Sequence, residues 1–523
     1  MNFLKRCWQR RWIRGLAWTL ATFVTLYALL CAWVNWSGAR KWRDAQAMIK
    51  AEGETLDFRG IVYEPVPEAE NFCAIPLLKD IALVEDNDAN KGASAEKRKR
   101  LEALKLLSEG NPSGSRPKFT GATLGKRTDM KRWADWLRKE GTPSGAANPE
   151  DAAREVLATL SKHDALFQEL AAGLNRPKAQ WTPEWKTREL PESLFSIQLP
   201  HYSGFMGVDQ TLTLRASAAA RAGDAAKAHE SAQILARFAE ASLNDPFLIG
   251  LLVGIGNTAS LCNVTWELCD AHAGTAEDFA RLESTLTNLH FHRAFLHAWR
   301  CELASQVNAI QFLKGRRGEM LRLLMVNGNG ESDRSASSDL AMRALPLGFF
   351  DASNAVLVDR EFHWVIKPLR DQGWLAAFQA ASNFENEIKA MKAKAWTHPS
   401  WIMTALLAPA TTRAIHRAAY AQVLINQAIV ACALERYRIE KGGYPDSLDT
   451  LKLANGSPLP LDEMSGKPMG YRRTAEGKYV LWSVGFDGKD DAGKRVLDEK
   501  KPDGTNFHEP NYVGDWVWSF PEQ

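Results

Sequence analysis

Along this chain one segment is apolar on every side, and many others are apolar on one side only. Gly15 to Trp36, GLAWTLATFVTLYALLCAWVNW, carries no charged side chain. As a helix rising about 1.5 Å per residue it would reach roughly 33 Å, enough to cross a hydrocarbon core of about 30 Å. Tyr27, Trp33 and Trp36 supply interfacial aromatic rings, mostly toward its C-terminal end. The pattern predicts a transmembrane helix that runs on through Lys50 as a stalk and is ended by Gly53. Lys5, Arg6, Arg10, Arg11 and Arg14 precede the run, and Arg40, Lys41 and Arg43 follow it, partly offset by Asp44. That imbalance predicts a cytoplasmic N-terminus and an exported body. The alternative is a cleaved signal peptide, with Ser37 and Ala39 at the small-residue positions before a cut.

Beyond Gly53 the pattern is that of a mainly α protein. Pro65 and Pro67 hold residues 64–68 extended, as a strap over the body. Asn71 is placed to cap a short helix over 72–81. Helices are predicted over 95–109, 130–139 and 149–174. A second strap spans 181–202 and contains Pro183, Pro191 and Pro200. Alanine-rich helices at 208–222 and 225–242 join at Gly223-Asp224, and a second pair is expected at 246–270 and 276–314, with Asp245 as a cap. These read as helical hairpins of the tetratricopeptide kind without a strict period, so the body is either a solenoid-like stack or an irregular bundle. Residues 246–266 are also free of charge. Their later half carries Asn257, Thr258, Ser260, Asn263 and Thr265, which predicts a buried core helix and not a second span. After the polar loop 327–338, helices are expected at 354–371, 373–394 and 411–441. Pro399 and Pro409 interrupt the apolar segment between the last two.

Composition adds little and excludes something. The formal net charge is +3, with charge spread along the chain, so there is no nucleic-acid signature. The cysteines, Cys7, Cys31, Cys73, Cys262, Cys269, Cys301 and Cys432, do not form a disulfide framework. Cys262 and Cys269 lie about 10.5 Å apart along one helix, too far to bridge.

Most chemical motifs fail on a required residue. The segment 86–90, DNDAN, starts like a calcium loop but has Lys91 and Lys97 where Gly and Glu are needed, so it reads as a solvated turn. Gly121, Gly125 and Lys126 resemble a phosphate loop one residue short, with Arg127 in place of the magnesium-holding Ser or Thr. Gly254, Gly256 and Ala259 form GxGxxA, but on a helix, where small residues allow close packing. His229-Glu230 followed by Gln233 is a zinc-protease signature lacking its second His. His290, His297 and Cys301 share one helical face, with His272 nearby in sequence; zinc is conceivable there, and packing is the plainer reading. There is no GxSxG elbow and no evident carboxylate pair, so no catalytic residue is predicted.

The C-terminal stretch is more specific. A long helix carries ALERYRIEKGGYPDSLDTL, followed by LPLDEMSGKPMGYRR, KYVLWSVGFDGKDD and GDWVW. Gly442-Gly443 ends the helix, Pro445 cannot continue it, and 479–484 alternates as a half-buried strand does. Tyr437, Gly443, Tyr444, Pro445, Asp462, Gly466, Pro468, Tyr471, Tyr479, Ser483, Gly485, Asp487, Gly488, Asp515 and Trp518 carry the pattern. Together they resemble the globular domain of the major pseudopilin of bacterial type II secretion systems. The resemblance implies a bacterial source and a helix packed on a small antiparallel sheet. Here the whole helical body separates this module from the membrane helix, which also lacks the Gly cleavage site and following Glu of pseudopilins. The module therefore reads as reused for binding or capping. If its strands pair as in that domain, Asp515 returns beside Asp487, Asp490 and Asp491, and calcium is a possible ligand of the cluster. Lys489, Lys494 and Arg495 could instead neutralise the cluster.

The predicted organisation is a cytoplasmic tail (1–14), a transmembrane helix (15–36), a stalk with straps and helices (37–205), a helical-hairpin body (206–410) and a small α+β domain with an antiparallel sheet (411–523). The expected protein is a binding or scaffold protein of the bacterial inner membrane, held in the lipid bilayer through residues 15–36 and engaging an envelope protein partner. The alternatives are an envelope hydrolase with a site between hairpins, or a type II secretion or pilus-like assembly component.

Overall fold

The computed structural model describes residues 11–79, 95, 116–119, 121–138, 145–197, 199, 201–317, 343–394, 397–407, 411–494 and 514–521. The expectations for 86–90, 96–109 and 327–338, and for Cys7 and Arg495, lie outside the described residues.

One unbroken helix, α1 (Arg11–Ala51), contains the whole apolar run and the stalk. Its first half is exposed all round, and only later does one face become buried, through Gly38, Ala45 and Ile49 with Trp42 half-buried between them. This spacing of three to four residues is one helical stripe. Gly53, at φ +76°, turns the chain away. Then follow α2 (Met130–Leu137), α3 (Pro149–Leu160), α4 (Asp164–Ala172), α5 (His201–Ala222), α6 (Ala225–Leu243), α7 (Leu248–Asp270), α8 (Ala276–Thr287), α9 (Phe291–Gly315), α10 (Leu347–Glu361), α11 (Trp374–Ala393), α12 (Trp401–Leu407) and α13 (Thr411–Lys441).

Caps set many of these boundaries. Asp129, Asn148 and Asp224 each accept a backbone N–H of the first turn they precede. Thr275 and Asp278 form a reciprocal capping box at the start of α8. Several expectations are corrected: the helix expected at 149–174 is broken by a 3-10 turn at Ser161–His163, and the one expected from 246 starts at Leu248 with Phe247, not Asp245, at its cap position. Residues 276–314 are two helices, because the chain breaks at Asn288 and the Phe291 N–H is taken by Gln422 Oε1 at 2.9 Å. The helix expected at 72–81 is a single 3-10 turn, Phe72–Ala74, capped by Asn71 as predicted. The helix expected at 354–371 starts earlier, at Leu347, and widens into a π turn over Phe362–Ile366. Pro368 has no N–H to give to the turn before it, which accounts for the slipped hydrogen-bond register.

The fold is mainly helical, with a small sheet near the C-terminus. The α5–α6 hairpin turns at Gly223 (φ +84°), and α7 returns against both helices. α10 runs beside α1 in the same direction: Gly38 meets Gly348 at one end, and Glu52 accepts Lys367 Nζ at 2.6 Å at the other. Strands β1 (Gly470–Arg473), β2 (Tyr479–Ser483) and β3 (Trp516–Ser519) form an antiparallel sheet in that order, with Tyr471 opposite Leu481 and Leu481 opposite Trp518. α13 is buried almost all round from Thr411 to Glu435 and packs on α7, α8, α9 and α11. A single apolar core therefore runs from Ala45 and Ile49 of α1 to Trp518 of β3.

Candidate functional site

The C-terminal module is built around two buried carboxylates. After Gly442 (φ +81°) the chain reverses, and Tyr444 folds back so that its hydroxyl donates to Glu435. Glu435 also accepts Arg438 Nε at 2.9 Å and meets His272 Nδ1 at 3.2 Å. Tyr471 donates to the Pro445 carbonyl at 2.7 Å, tying β1 to this turn. Asp462 accepts the Met464 N–H, the Ser465 and Ser483 hydroxyls and the Val484 N–H at 2.5–3.3 Å. It thereby fastens the approach to β1 onto the end of β2.

From that knot the loop Gly485–Lys494 departs. Gly485, at φ +63°, has no room for a Cβ, which would lie 2.5 Å from the Gly514 carbonyl oxygen. The sequence-predicted aspartates are held as follows. Asp487 accepts the Lys489 and Gly514 N–H groups at 3.1 and 2.9 Å. Asp490 Oδ1 accepts the Trp482 indole and the Ala492 N–H, both at 2.9 Å. Asp515 Oδ2 accepts the Gly493 N–H at 2.8 Å. Asp515 is only 5 % exposed, and among the described residues its Oδ1 has no hydrogen-bond partner. Burial raises its pKa, as do the nearby charges of Asp490 and Asp491. So 490, 491 and 515 are neighbours, while Asp487 is spent on the backbone beside them. Among the described residues, no three His, Cys, Asp or Glu side chains are arranged to hold a metal ion. Any cation here would need backbone carbonyls and water to complete its oxygen shell.

The remaining motifs have structural partners. His229 Nε2 lies 3.0 Å from the Ala273 carbonyl, Glu230 pairs with Arg215, and Gln233 accepts the Thr285 hydroxyl. Gly254 is where α7 touches Leu243 of α6. The segment around Gly121 and Gly125 is docked on α7: Asn263 accepts the Ala122 N–H, Glu267 the Thr128 N–H, and Arg127 pairs with Asp270. His297 stacks on Tyr63 with ring centroids 3.7 Å apart, whereas Cys301 sits in an apolar cluster with Phe58, Trp185 and Phe247. That helical face is packing.

Sequence reasoning missed several buried carboxylates. Glu361, fully buried and pushed up to about 8 by burial and by Glu302, closes α10 just before the π turn. Gln306 and Trp299 are its nearest donors, and neither closes a well-formed hydrogen bond. Asp209, raised to about 7 by burial, accepts the Ser260 hydroxyl at 2.6 Å. Asp245, raised to about 6 by burial, accepts the Tyr202 hydroxyl at 2.6 Å. The only available sequence signal was an acidic residue inside an apolar helical period.

Among the described residues, two clefts lie along the straps. One, of about 230 Å³, lies among Pro65, Asn71, Cys73 and Trp181; the other, of about 50 Å³, among Tyr63, Glu240, His290 and Arg293. Burial holds the Cys73 thiol well above its ordinary pKa, so it is a poor nucleophile. The chain matches no family model, no curated protein and no solved structure.

Proposed function

We propose that this is a membrane-anchored binding or scaffold protein of a bacterial envelope, with a cytoplasmic N-terminus and its body outside the inner membrane. One observation carries the reading: the contrast along α1. Leu16, Trp18, Leu20, Phe23, Val24, Leu26 and Trp33 are exposed around its circumference, with Trp33 still 62 % exposed, while from Gly38 onward one face of the same helix is buried against the body. An apolar surface of that size needs a non-aqueous partner. Among the described residues, three stretches are long and apolar enough to cross a membrane, Arg14–Ala51, Leu248–Asp270 and Trp401–Lys441. The second and third bury 67 % and 100 % of their apolar windows inside the body, so the first is left to the bilayer.

In this reading the C-terminal module is a pseudopilin-like unit reused to engage an envelope protein. Its acidic loop binds calcium, supported by Asp515 Oδ1, which has no hydrogen-bond partner among the described residues and lies beside Asp490 and Asp491. Ala475, exposed at the β1–β2 turn, gives the topology test. An Ala475→Cys variant should react with a membrane-impermeant thiol reagent in spheroplasts. Labelling only after the cytoplasm is opened would reverse the topology. Crosslinking in intact cells from exposed positions of the same module should then capture one stoichiometric envelope protein; a body that stays monomeric from every position would sink the scaffold role.

A further inference from the structure

Anchor and body are held at one height by a glycine crossing. A Cβ on Gly348 would lie 2.5 Å from Asn35 Cα, and one on Gly38 would lie 2.6 Å from the Gly348 carbonyl carbon. The two backbones touch, and Asn35 Oδ1 accepts the Gly348 N–H at 2.8 Å. Neither helix can slide along the other without parting. On the N-terminal side of this crossing, the Tyr27 hydroxyl donates to the Ala344 carbonyl. Tyr27 precedes Asn35 by eight residues, about 12 Å of helix. The segment from Arg343 to Leu347 therefore hangs beside the apolar run and not above it.

This inference rests on the reading that residues 15–36 span the bilayer. Tyr27 is then nine residues, roughly 14 Å, inside the outer end of the run. The body segment bonded to it lies at or below the headgroup level. Its side chains suit that depth. Leu347 is 41 % exposed, Leu345 and Pro346 are half-buried, and Arg343 is exposed. Arg317 comes in from the end of α9 and donates through one guanidinium nitrogen to the Leu345 carbonyl. A guanidinium left in hydrocarbon is costly, but a long arginine at an apolar boundary can reach back to the phosphate layer. Its planar fork matches phosphate oxygens. We propose that the segment from Arg343 to Leu347, together with Arg317, is a membrane-embedded foot of the body that binds the headgroup of an anionic phospholipid beside the anchor.

The test uses the full chain in phosphatidylcholine bilayers, with Cys7 and Cys31 replaced and a fluorophore on Phe23→Cys, Leu347→Cys or Ala475→Cys. The other cysteines are buried. Nitroxides on the lipid acyl chains should quench the probes at 23 and 347 and spare that at 475. Quenching at 23 with none at 347 overturns the foot and leaves the anchor standing. Quenching at neither position overturns the anchor and the foot with it. For the headgroup, spin-labelled phosphatidylglycerol should associate at 347 more strongly than spin-labelled phosphatidylcholine, by about fivefold for each arginine engaged. Arg343→Gln should reduce that preference, and the Arg317→Gln, Arg343→Gln double variant should erase it, with quenching at 23 unchanged. Equal quenching by the two lipids in the parent protein rejects anionic-lipid binding. Arg343 is exposed, so its single variant remains informative if the double variant misfolds.

Discussion

Adding one methyl group at Gly348 should loosen the anchor from the body, and the structure supplies the size of the effect. The new Cβ would sit 2.5 Å from Asn35 Cα and 2.6 Å from the Val34 carbonyl carbon, where ordinary contact begins near 3.4 Å. Both obstacles are backbone, so no rotamer change relieves them, and the helices must part by about 1 Å. Overpacking of this kind costs about 1–3 kcal/mol. Stretching the Asn35–Gly348 hydrogen bond adds about 1 kcal/mol. Gly348→Ala should therefore destabilise by about 2–4 kcal/mol. Gly256→Ala is the contrast: this glycine is in α7, nothing lies within 4 Å of its Cβ position, and the substitution should be neutral or stabilising by up to about 1 kcal/mol. The assay is urea unfolding of the full chain in micelles, followed by tryptophan fluorescence. Gly38→Ala combined with Gly348→Ala should cost less than the sum of the singles, because the second methyl enters a gap the first has opened. A Gly348→Ala midpoint indistinguishable from that of Gly256→Ala, or strict additivity in the double variant, would refute the close crossing.

Two other consequences are open to measurement. Glu361 is raised to about 8 in the folded chain against an ordinary carboxyl value near 4.3, so its contribution to stability is fully present below about pH 4.3 and is lost as the pH climbs through 8. Between those limits unfolding releases its proton, and Glu361→Gln should remove about 1.4 kcal/mol per pH unit of declining stability; parallel profiles for parent and variant from pH 5 to 8 would contradict this. Millimolar calcium should raise the melting temperature of the full chain relative to chelator, and not that of an Asp487→Ala, Asp515→Ala variant; no shift in the parent protein would exclude a calcium site in the loop.

The apolar run was legible as one long helix with an exposed apolar surface, because a charge-free stretch of that length has no polar face to turn toward solvent. Helix starts were legible at Asn148-Pro149 and Thr275, whereas Asp245, expected to cap a helix from 246, accepts the Phe247 N–H ahead of a helix that starts at Leu248. What escaped were features whose cause lies far along the chain. Nothing local marks the break before Phe291, because the acceptor that stabilises it is Gln422. Nothing local marks Glu361 as buried beside Glu302. The trio Ser37-Gly38-Ala39 is the sharpest case. Small residues after an apolar run suit a signal-peptide cut, and here they let the Gly348 backbone approach. In the acidic loop the sequence pointed to Asp490, Asp491 and Asp515, which the fold makes neighbours, but not to Asp487 being satisfied by the Gly514 N–H.

The sequence predicts a separate C-terminal α+β domain over 411–523, yet its packing argues that it cannot stand on its own. A helix that only lies on a small sheet needs one apolar face. α13 instead buries Ile415, Ala418, Val423, Leu424, Ile425, Ile429, Val430 and Leu434, around its whole circumference. Much of that surface faces α7, α8, α9 and α11, not the sheet. The tie is two-way: Trp266 of α7 donates its indole N–H to the Ser519 carbonyl at 2.9 Å and stacks on Phe520 at 5.5 Å. Severing the module would expose several large aliphatic side chains, each worth about 1.5–3 kcal/mol of burial. That loss exceeds the stability of a typical small domain. The fragment 411–523 should therefore be soluble only as an aggregate or a loosely packed state, with far-ultraviolet helical signal but no near-ultraviolet tryptophan signal and no cooperative melt. Supplying residues 201–407 in trans should restore the near-ultraviolet signal. A sharp, reversible melt of the fragment alone would show that the module keeps an independent core, and that the body's grip on α13 is incidental to its folding.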